Sequence, residues 1–198
     1  MSAPASSIAR NLSEVEARAA RLARLGEDRI RRVEEVSRRF FETEADHLAQ
    51  ACWVMARRFH RGGRLFVCAS AECASDAHHV AVEFLHPVLV GKRALPAMAL
   101  DGDVQARLRL MGQAQDIAMG ISSGADPHLV GALRAASAMG LLTIALAGAG
   151  GGRIAQAQLD HLFVVPDQDA TIVQEVQETC YHILYELVHV FFEHPGLL

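Results

Sequence analysis

The sequence predicts an α/β fold with a five-stranded parallel sheet at its centre. Short apolar runs, each suited to a buried strand, alternate with helical patterns between residues 64 and 193. Loops of small residues follow three of these runs, at 69–74, 122–126 and 148–152. Such alternation is typical of a parallel sheet with helices on both faces and right-handed connections, which gives three layers.

The first 60 residues predict a helical arm at the N-terminus. A helical pattern covers 11–60, and Gly26 marks the only break that it suggests. Apolar residues recur at spacings of three and four along its second half, as on a helix that packs on the core or on a partner helix. We therefore expect a helical arm at 1–60, used for oligomerisation, and a second region at 61–198, which together form one structural domain.

The elements of the second region follow from its turn signals. Strands are expected at 64–69, 95–100, 117–122, 141–147 and 162–165. Helices are expected from about Ser75, from Pro127 to about Met139, near Ile154, and from Thr171 to Glu193. The segment 101–115 is interpreted only as short and polar-rich.

The composition narrows the class of protein. With 198 residues, 51% hydrophobic and 21% charged, the chain is typical of a globular protein with one well-buried core. A formal net charge of −4 argues against a nucleic-acid-binding protein. We expect no membrane segment and no signal peptide, since the apolar runs are short. The four cysteines show no CxxC spacing, so we expect reduced thiols and a cytoplasmic protein.

A candidate site lies where the first predicted strand leads into its helix. In parallel sheets, ligands bind beyond the carboxyl ends of the strands, where helix N–H groups are free. His79 and Glu83 stand four residues apart and share one face of that helix. Gln174 and His182 are eight residues apart, about two turns, so both can face one cavity. Each pair alone is also typical of an ordinary polar helix face.

Four segments carry a family resemblance. They are Ser75-Asp76-Ala77-His78-His79 with Glu83, Gly120-Ile121-Ser122-Ser123-Gly124, Leu142-Thr143-Ile144-Ala145-Leu146-Ala147-Gly148 with Gly151-Gly152, and Gln174-Glu175 followed by His182-Ile183-Leu184. In order and spacing they resemble the sugar isomerase (SIS) domain, and within it the phosphoheptose isomerases, which act on sedoheptulose 7-phosphate. The resemblance covers residues 64–193.

The resemblance implies an aldose–ketose isomerase that acts on a sugar phosphate. Such a reaction moves a proton between adjacent carbons through an enediol, so it needs a base, an acid and a group that polarises the carbonyl. By resemblance, Glu83 is the catalytic base and His182 the acid. Zinc, a metal that can polarise a carbonyl, is implied on His79, Glu83, Gln174 and His182.

The resemblance also implies a substrate site and an assembly. Residues expected to bind the sugar or sugar phosphate are Ser70, Cys73, Ser75, Asp101, Ser122 and Ser123. The N-terminal helices are expected to build a homotetramer, as such helices do in the family.

Two loops depart from the phosphate-binding pattern of the family. The first reads Ala69-Ser70-Ala71-Glu72-Cys73 where the family has a sequence like Gly-Asn-Gly-Gly-Ser, so a carboxylate enters and a thiol replaces a serine. In the second loop, Asp126 replaces the last serine. Two interpretations therefore stay open. The protein is an isomerase, or it is a non-catalytic binding or regulatory protein that has lost phosphate binding but retains a metal site.

Cys73 itself has two interpretations. At the N-terminus of a helix its thiol would have a lowered pKa, and together with His78, His79 and Cys180 it would form or extend a metal site of softer character. The alternative is a buried, inert cysteine, the commoner state of a free thiol.

Overall fold

A five-stranded sheet forms the centre of the protein, whose computed structural model describes residues 4–87, 91–124 and 126–198. Its strands are β1 (Leu65–Ala69), β2 (Ala97–Ala99), β3 (Ile117–Ser122), β4 (Leu142–Ala147) and β5 (His161–Val164). They lie in the order β2-β1-β3-β4-β5, and every pair of neighbours is parallel. The predicted fold class is confirmed.

Five α-helices cover this sheet within the described residues. They are α1 (Pro4–His60), α2 (Ala74–Leu85), α3 (Val104–Met111), α4 (Pro127–Ala138) and α5 (Ala170–Glu193). Short 3₁₀ turns occur at Ala71–Cys73, Ala149–Gly151, Ile154–Gln156 and Pro195–Leu197.

Alternate residues of the central strands face two separate cores. Ile117 and Met119 of β3 pack with residues of α1, α2 and α5, whereas Ala118 between them packs with residues of α3 and α4. This alternation follows from the two-residue period of a strand. The result is three layers, with α1, α2 and α5 on one side of the sheet and α3 and α4 on the other.

The expected break in the N-terminal arm is wrong, because α1 runs without interruption from Pro4 to His60. An added Cβ at Gly26 would have nothing within 4 Å, so this glycine serves no close approach. One glycine in a helix costs only about 1 kcal/mol relative to alanine. Packing of α1 on α5, with Phe40 and Met55 buried, outweighs that cost.

The segment after β2 holds a helix that the sequence analysis missed. Asp103 caps α3 by accepting a hydrogen bond from the backbone N–H of Ala106 at 3.0 Å. Leu108 is fully buried against the α4 side of the sheet, while Leu110 is 85% exposed. A helix of eight residues with so narrow an apolar face gives little periodic signal.

In the part of the chain that the structure describes, no helix is both long enough and apolar enough to cross a membrane.

Candidate active site

The loops at the carboxyl ends of β1, β3 and β4 lie along one edge of the sheet, as the sequence predicts. Gly148, which follows β4, shows how closely they pack. A Cβ at this position would stand 2.6 Å from the carbonyl oxygen of Ser123 and 2.6 Å from a methyl group of Val173. Glycine is therefore required where this loop passes between the β3 loop and α5.

Helices α2 and α5 bring three of the predicted site residues together. The Nε2 atom of His79 on α2 lies 3.5 Å from Nε2 of His182 on α5. The same nitrogen lies 3.5 Å from Oε1 of Glu83, one turn further along α2. The two imidazole rings are 5.1 Å apart between centroids. Two segments separated by about 100 positions in the sequence thus face one another across a small space.

The other nitrogen of the His79 ring faces a different set of groups. Its Nδ1 lies 3.0 Å from the hydroxyl of Tyr181 and 3.7 Å from Oε1 of Glu178. Tyr181 is 1% exposed, and burial raises the pKa of its hydroxyl, so the phenol stays protonated. The ring of His79 therefore has one side held by Tyr181 and one side directed at Glu83 and His182.

A buried carboxylate, Asp76, supports this arrangement from the first turn of α2. It is 6% exposed, and burial raises its pKa. The side-chain amide of Gln174 opposes that shift by donating hydrogen bonds to Asp76 at 3.0 and 3.3 Å. Gln174, one of the predicted metal ligands, thus has its amide nitrogen on Asp76 in this structure.

Two descriptions of a metal-binding group emerge from these contacts. His79, Glu178 and His182 offer ligand atoms that all lie within 4.8 Å of one another. However, Glu178 approaches Nδ1 of His79, the nitrogen that already contacts Tyr181. Glu83 lies instead against Nε2 of His79, the nitrogen that faces His182, and it is not part of that three-residue group.

The serines of the β1 and β3 loops surround a carboxylate of the chain itself. Ser70 and Ser123 donate hydrogen bonds to the same oxygen, Oε1 of Glu72, at 2.6 and 3.2 Å. The hydrogen bond from Ser70 is the main cause that lowers the pKa of Glu72. Ser122 is fully buried and donates to the carbonyl oxygen of Gly124 at 2.8 Å.

The remaining predicted substrate-binding residues have different environments. Cys73 is 2% exposed, and burial raises the pKa of its thiol, so the lowered pKa considered above is wrong and the buried interpretation fits. Ser75 is exposed in the first turn of α2. Asp101 is exposed and lies 3.2 Å from Nε2 of His78. Cys180 is also fully buried, in the core on the α5 side.

A cavity of about 650 Å³ lies between the end of β1 and the starts of α3 and α4, and its lining includes Asp103, Asp126 and His128. His79, Glu83 and His182 do not line it. The candidate site is identified instead by the convergence of two histidines and a carboxylate between α2 and α5.

Sequence reasoning missed Glu178, Tyr181 and the role of Asp76. A signal existed for Glu178, which stands four residues from both Gln174 and His182 and so shares their helix face. Tyr181 reads as a core residue from its apolar neighbours, and only the packing of α5 on α2 shows its contact with His79.

Comparison with known proteins places the chain in a family. No protein-family model matches it. The phosphoheptose isomerase of Nitratidesulfovibrio vulgaris is 34% identical over 173 residues, covering 78% of this chain and 83% of that protein. The enzyme of the same name from Desulfovibrio desulfuricans is 34% identical over 178 residues, covering 80% and 84%.

Solved structures show the same fold. The phosphoheptose isomerase of Neisseria gonorrhoeae superposes with a TM-score of 0.75 at 24% identity, covering 84% of this chain and 99% of that one. The protein from Francisella tularensis gives a TM-score of 0.71 at 24% identity, covering 82% and 97%. Given the identity to curated relatives over most of both chains, this chain belongs to the phosphoheptose isomerase family of SIS-domain proteins.

Proposed function

We propose that this protein is an aldose–ketose isomerase that acts on a sugar phosphate such as sedoheptulose 7-phosphate. The observation that carries the proposal is the convergence of Glu83, His79 and His182 from two helices. Relatives named phosphoheptose isomerase at 34% identity favour this function over a non-catalytic binding role.

In this proposal Glu83 and His182 divide the proton transfers between them. Glu83 takes the proton from the carbon next to the carbonyl and returns it to the neighbouring carbon, which passes the substrate through an enediol. While its Nε2 is not bound to an ion, His182 donates a proton to the carbonyl oxygen as charge develops there, and it takes up the proton of the neighbouring hydroxyl when that oxygen becomes the new carbonyl. Both side chains face the same nitrogen of His79, so one sugar carbon–carbon bond can contact both.

His79 is placed to share a zinc ion with His182, and either Glu83 or Glu178 could supply the carboxylate. Two ligand atoms bound at about 2.1 Å to a tetrahedral zinc lie about 3.4 Å apart. The separations from Nε2 of His79 to His182 and to Glu83 are both 3.5 Å. We propose His79, Glu83 and His182 as ligands. Gln174 would be a further ligand once the hydrogen bonds from its side-chain amide to Asp76 are broken. When bound, zinc would polarise the substrate carbonyl in place of the proton from His182, and one oxygen of Glu83 would remain available as the base.

The phosphate end of the substrate is proposed to lie at the loops after β1 and β3. Ser70 and Ser123 supply hydroxyl groups there, and Ser122 would add a third if its hydroxyl left the carbonyl oxygen of Gly124. The free N–H groups of nearby helices also favour an anion. Ser75 is exposed in the first turn of α2 and so is accessible to the same end of the sugar. Asp101, which is exposed, completes the proposed set, whereas Cys73 is too deeply buried to contact a substrate directly.

A homotetramer built through α1 and a cytoplasmic location are further proposals. Apolar residues of α1 are exposed over its first half: Val15, Leu22, Leu25 and Ile30 are 56–65% exposed. An apolar row of this kind on a long helix is suited to packing on a partner helix. All four cysteines are free and buried, as suits a reducing compartment.

The proposed reaction has a direct test in deuterated water. Purified protein, supplied with zinc, should convert sedoheptulose 7-phosphate to the corresponding aldose phosphate, because Glu83 and His182 are placed for the transfer. Proton NMR would show the new anomeric signal and exchange of the transferred proton with solvent deuterium. A folded, zinc-loaded protein that gives neither product nor deuterium incorporation would reject the isomerase proposal.

Tyr181 is predicted to position His79 for metal binding. With an ion on Nε2, Nδ1 carries a proton and donates it to the Tyr181 hydroxyl, 3.0 Å away. We expect Tyr181→Phe to weaken zinc binding about tenfold or more, as loss of such supporting contacts does. Competition with a chromophoric chelator measures the Kd, and ¹⁵N NMR of His79 reports its tautomer.

Tyr185→Phe is the matched control for this prediction. Tyr185 lies on the same helix, and its buried hydroxyl has no hydrogen-bond partner among the described residues. Its removal should leave the zinc Kd unchanged. Equal effects of the two substitutions would show that Tyr181 acts through general packing and not through His79.

A further inference from the structure

We propose that Glu72 is a specificity-determining residue whose carboxylate occupies the hydroxyl groups that a substrate phosphate would use. The proposal rests on the proposed function, since it concerns the far end of the same substrate. The Glu72 carboxylate then competes with a phosphate dianion for the same serine hydroxyls. The site therefore binds phosphate more weakly than it would without Glu72.

The hydrogen bonds at Glu72 join two loops that belong to neighbouring strands. Ser70 follows β1 and is 2% exposed, and Ser123 follows β3. Their hydroxyls converge on one oxygen of Glu72, at 2.6 and 3.2 Å. Parallel sheets bind their ligands at this edge, beyond the carboxyl ends of the strands, so the two hydroxyls lie where a substrate anion is expected.

Glu72 differs in this respect from Asp126, the other acidic residue of these loops. Asp126 accepts hydrogen bonds from the backbone N–H groups of His128 and Leu129, at 2.8 and 3.4 Å, and is an ordinary N-cap of α4. Glu72 bonds side-chain hydroxyls that are free to serve another acceptor. Displacing Glu72 therefore exposes two donors, whereas displacing Asp126 would uncap a helix.

The charge on Glu72 makes the competition electrostatic as well as steric. Its hydrogen bond from Ser70 lowers its pKa, so the carboxylate is ionised wherever a sugar phosphate is a dianion. A phosphate that approached Ser70 and Ser123 would meet this negative charge at short range. A neutral sugar hydroxyl would meet instead an acceptor to which it can donate.

The geometry of α2 links this position to the reacting end of the substrate. Glu72 lies in the 3₁₀ turn that leads into α2, and His79 and Glu83 lie on later turns of the same helix. The two ends of a bound substrate would therefore contact different turns of one continuous segment.

Binding of inorganic phosphate to the whole protein tests the proposal without requiring turnover. Isothermal titration calorimetry would compare the wild type with Glu72→Gln and Glu72→Ala. We expect both substitutions to lower the Kd for phosphate at least about tenfold, because removal of a unit charge at contact distance is worth that much or more. Two substitutions guard against misfolding of either one.

The control is Glu34→Gln, which removes the same charge from an exposed position on α1. It should leave the phosphate Kd within about twofold, since a solvent-exposed charge interacts weakly through water and is screened by salt. Steady-state kinetics add a second readout: in Glu72→Gln the KM for sedoheptulose 7-phosphate should fall while kcat is kept. A general structural effect would change kcat as well.

The outcomes separate this proposal from the proposed function. The role of Glu72 is overturned if both variants bind phosphate no more tightly than the wild type does, or if no protein binds phosphate. This holds even if the wild type is an active isomerase. The role of Glu72 is supported if both variants bind phosphate more tightly than the wild type does. A lack of turnover by every protein would overturn the isomerase proposal but not the role of Glu72.

Discussion

Replacing Glu83 with glutamine is expected to lower kcat for sedoheptulose 7-phosphate about 10²- to 10⁴-fold, the usual contribution of a general base. The amide has nearly the same shape as the carboxylate but cannot accept the proton from the substrate carbon. The corresponding rise in the activation barrier is about 3–5 kcal/mol. The NMR assay in deuterated water measures both turnover and exchange of the transferred proton.

Two companion variants show where this loss comes from. Glu27→Gln, on the exposed face of α1, removes the same charge and should keep wild-type kcat. Glu178→Gln changes the carboxylate near Nδ1 of His79 and should lower kcat far less than Glu83→Gln does. If Glu178→Gln abolished turnover and Glu83→Gln did not, Glu178 would be the catalytic carboxylate and our choice of Nε2 as the reactive side would be wrong.

Replacing Arg64 with methionine is expected to reduce the free energy of unfolding by about 3 kcal/mol, the lower end of the range for breaking a buried ion pair, because Asp116 is buried but the Arg64 side chain is 40% exposed. Asp116 is fully buried, and Nη2 of Arg64 lies 2.7 Å from its Oδ2. Without the guanidinium the carboxylate would be buried with no countercharge. Backbone N–H groups of Arg64 and Gln113 still donate to it, at 2.8 and 2.9 Å, which limits the loss.

Arg38→Met is the matched control for this stability prediction. Arg38 pairs with Glu42 on α1, and both side chains are more than 60% exposed. Exposed pairs one helical turn apart contribute about 0.3–0.5 kcal/mol. Urea unfolding followed by circular dichroism would give both values. Equal losses in the two variants would mean that burial of Asp116 adds nothing to the strength of its pair.

The Arg64–Asp116 pair also matters for the site at the opposite edge of the sheet. Arg64 directly precedes β1 and Asp116 directly precedes β3, so the pair joins the starts of the two strands. With Leu65 opposite Ile117, the register places Ala69 opposite Ile121 at the other end. The hydroxyls of Ser70 and Ser123 can therefore converge on Glu72.

Much of the fold could be predicted because its signals are local. Buried strands such as β3 and β4 are continuous apolar runs, and turn residues such as Pro127 and Gly140 mark the ends of the helix between them. Where the local signal is weak the prediction failed: α3 has a narrow apolar face, and Gly26 looked like a break although α1 is continuous.

The sequence by itself determined the α/β class, the edge of the sheet at which the small-residue loops meet, and the pairing of His79 with Glu83 on one helix face. These follow from periodicity and from spacing along a single element.

Only the tertiary structure decided which nitrogen of His79 faces His182, that Gln174 bonds Asp76, and that Glu72 lies between two serines. Such contacts join side chains from separate elements, and their distances depend on how helices pack across the sheet. No spacing within one segment encodes them.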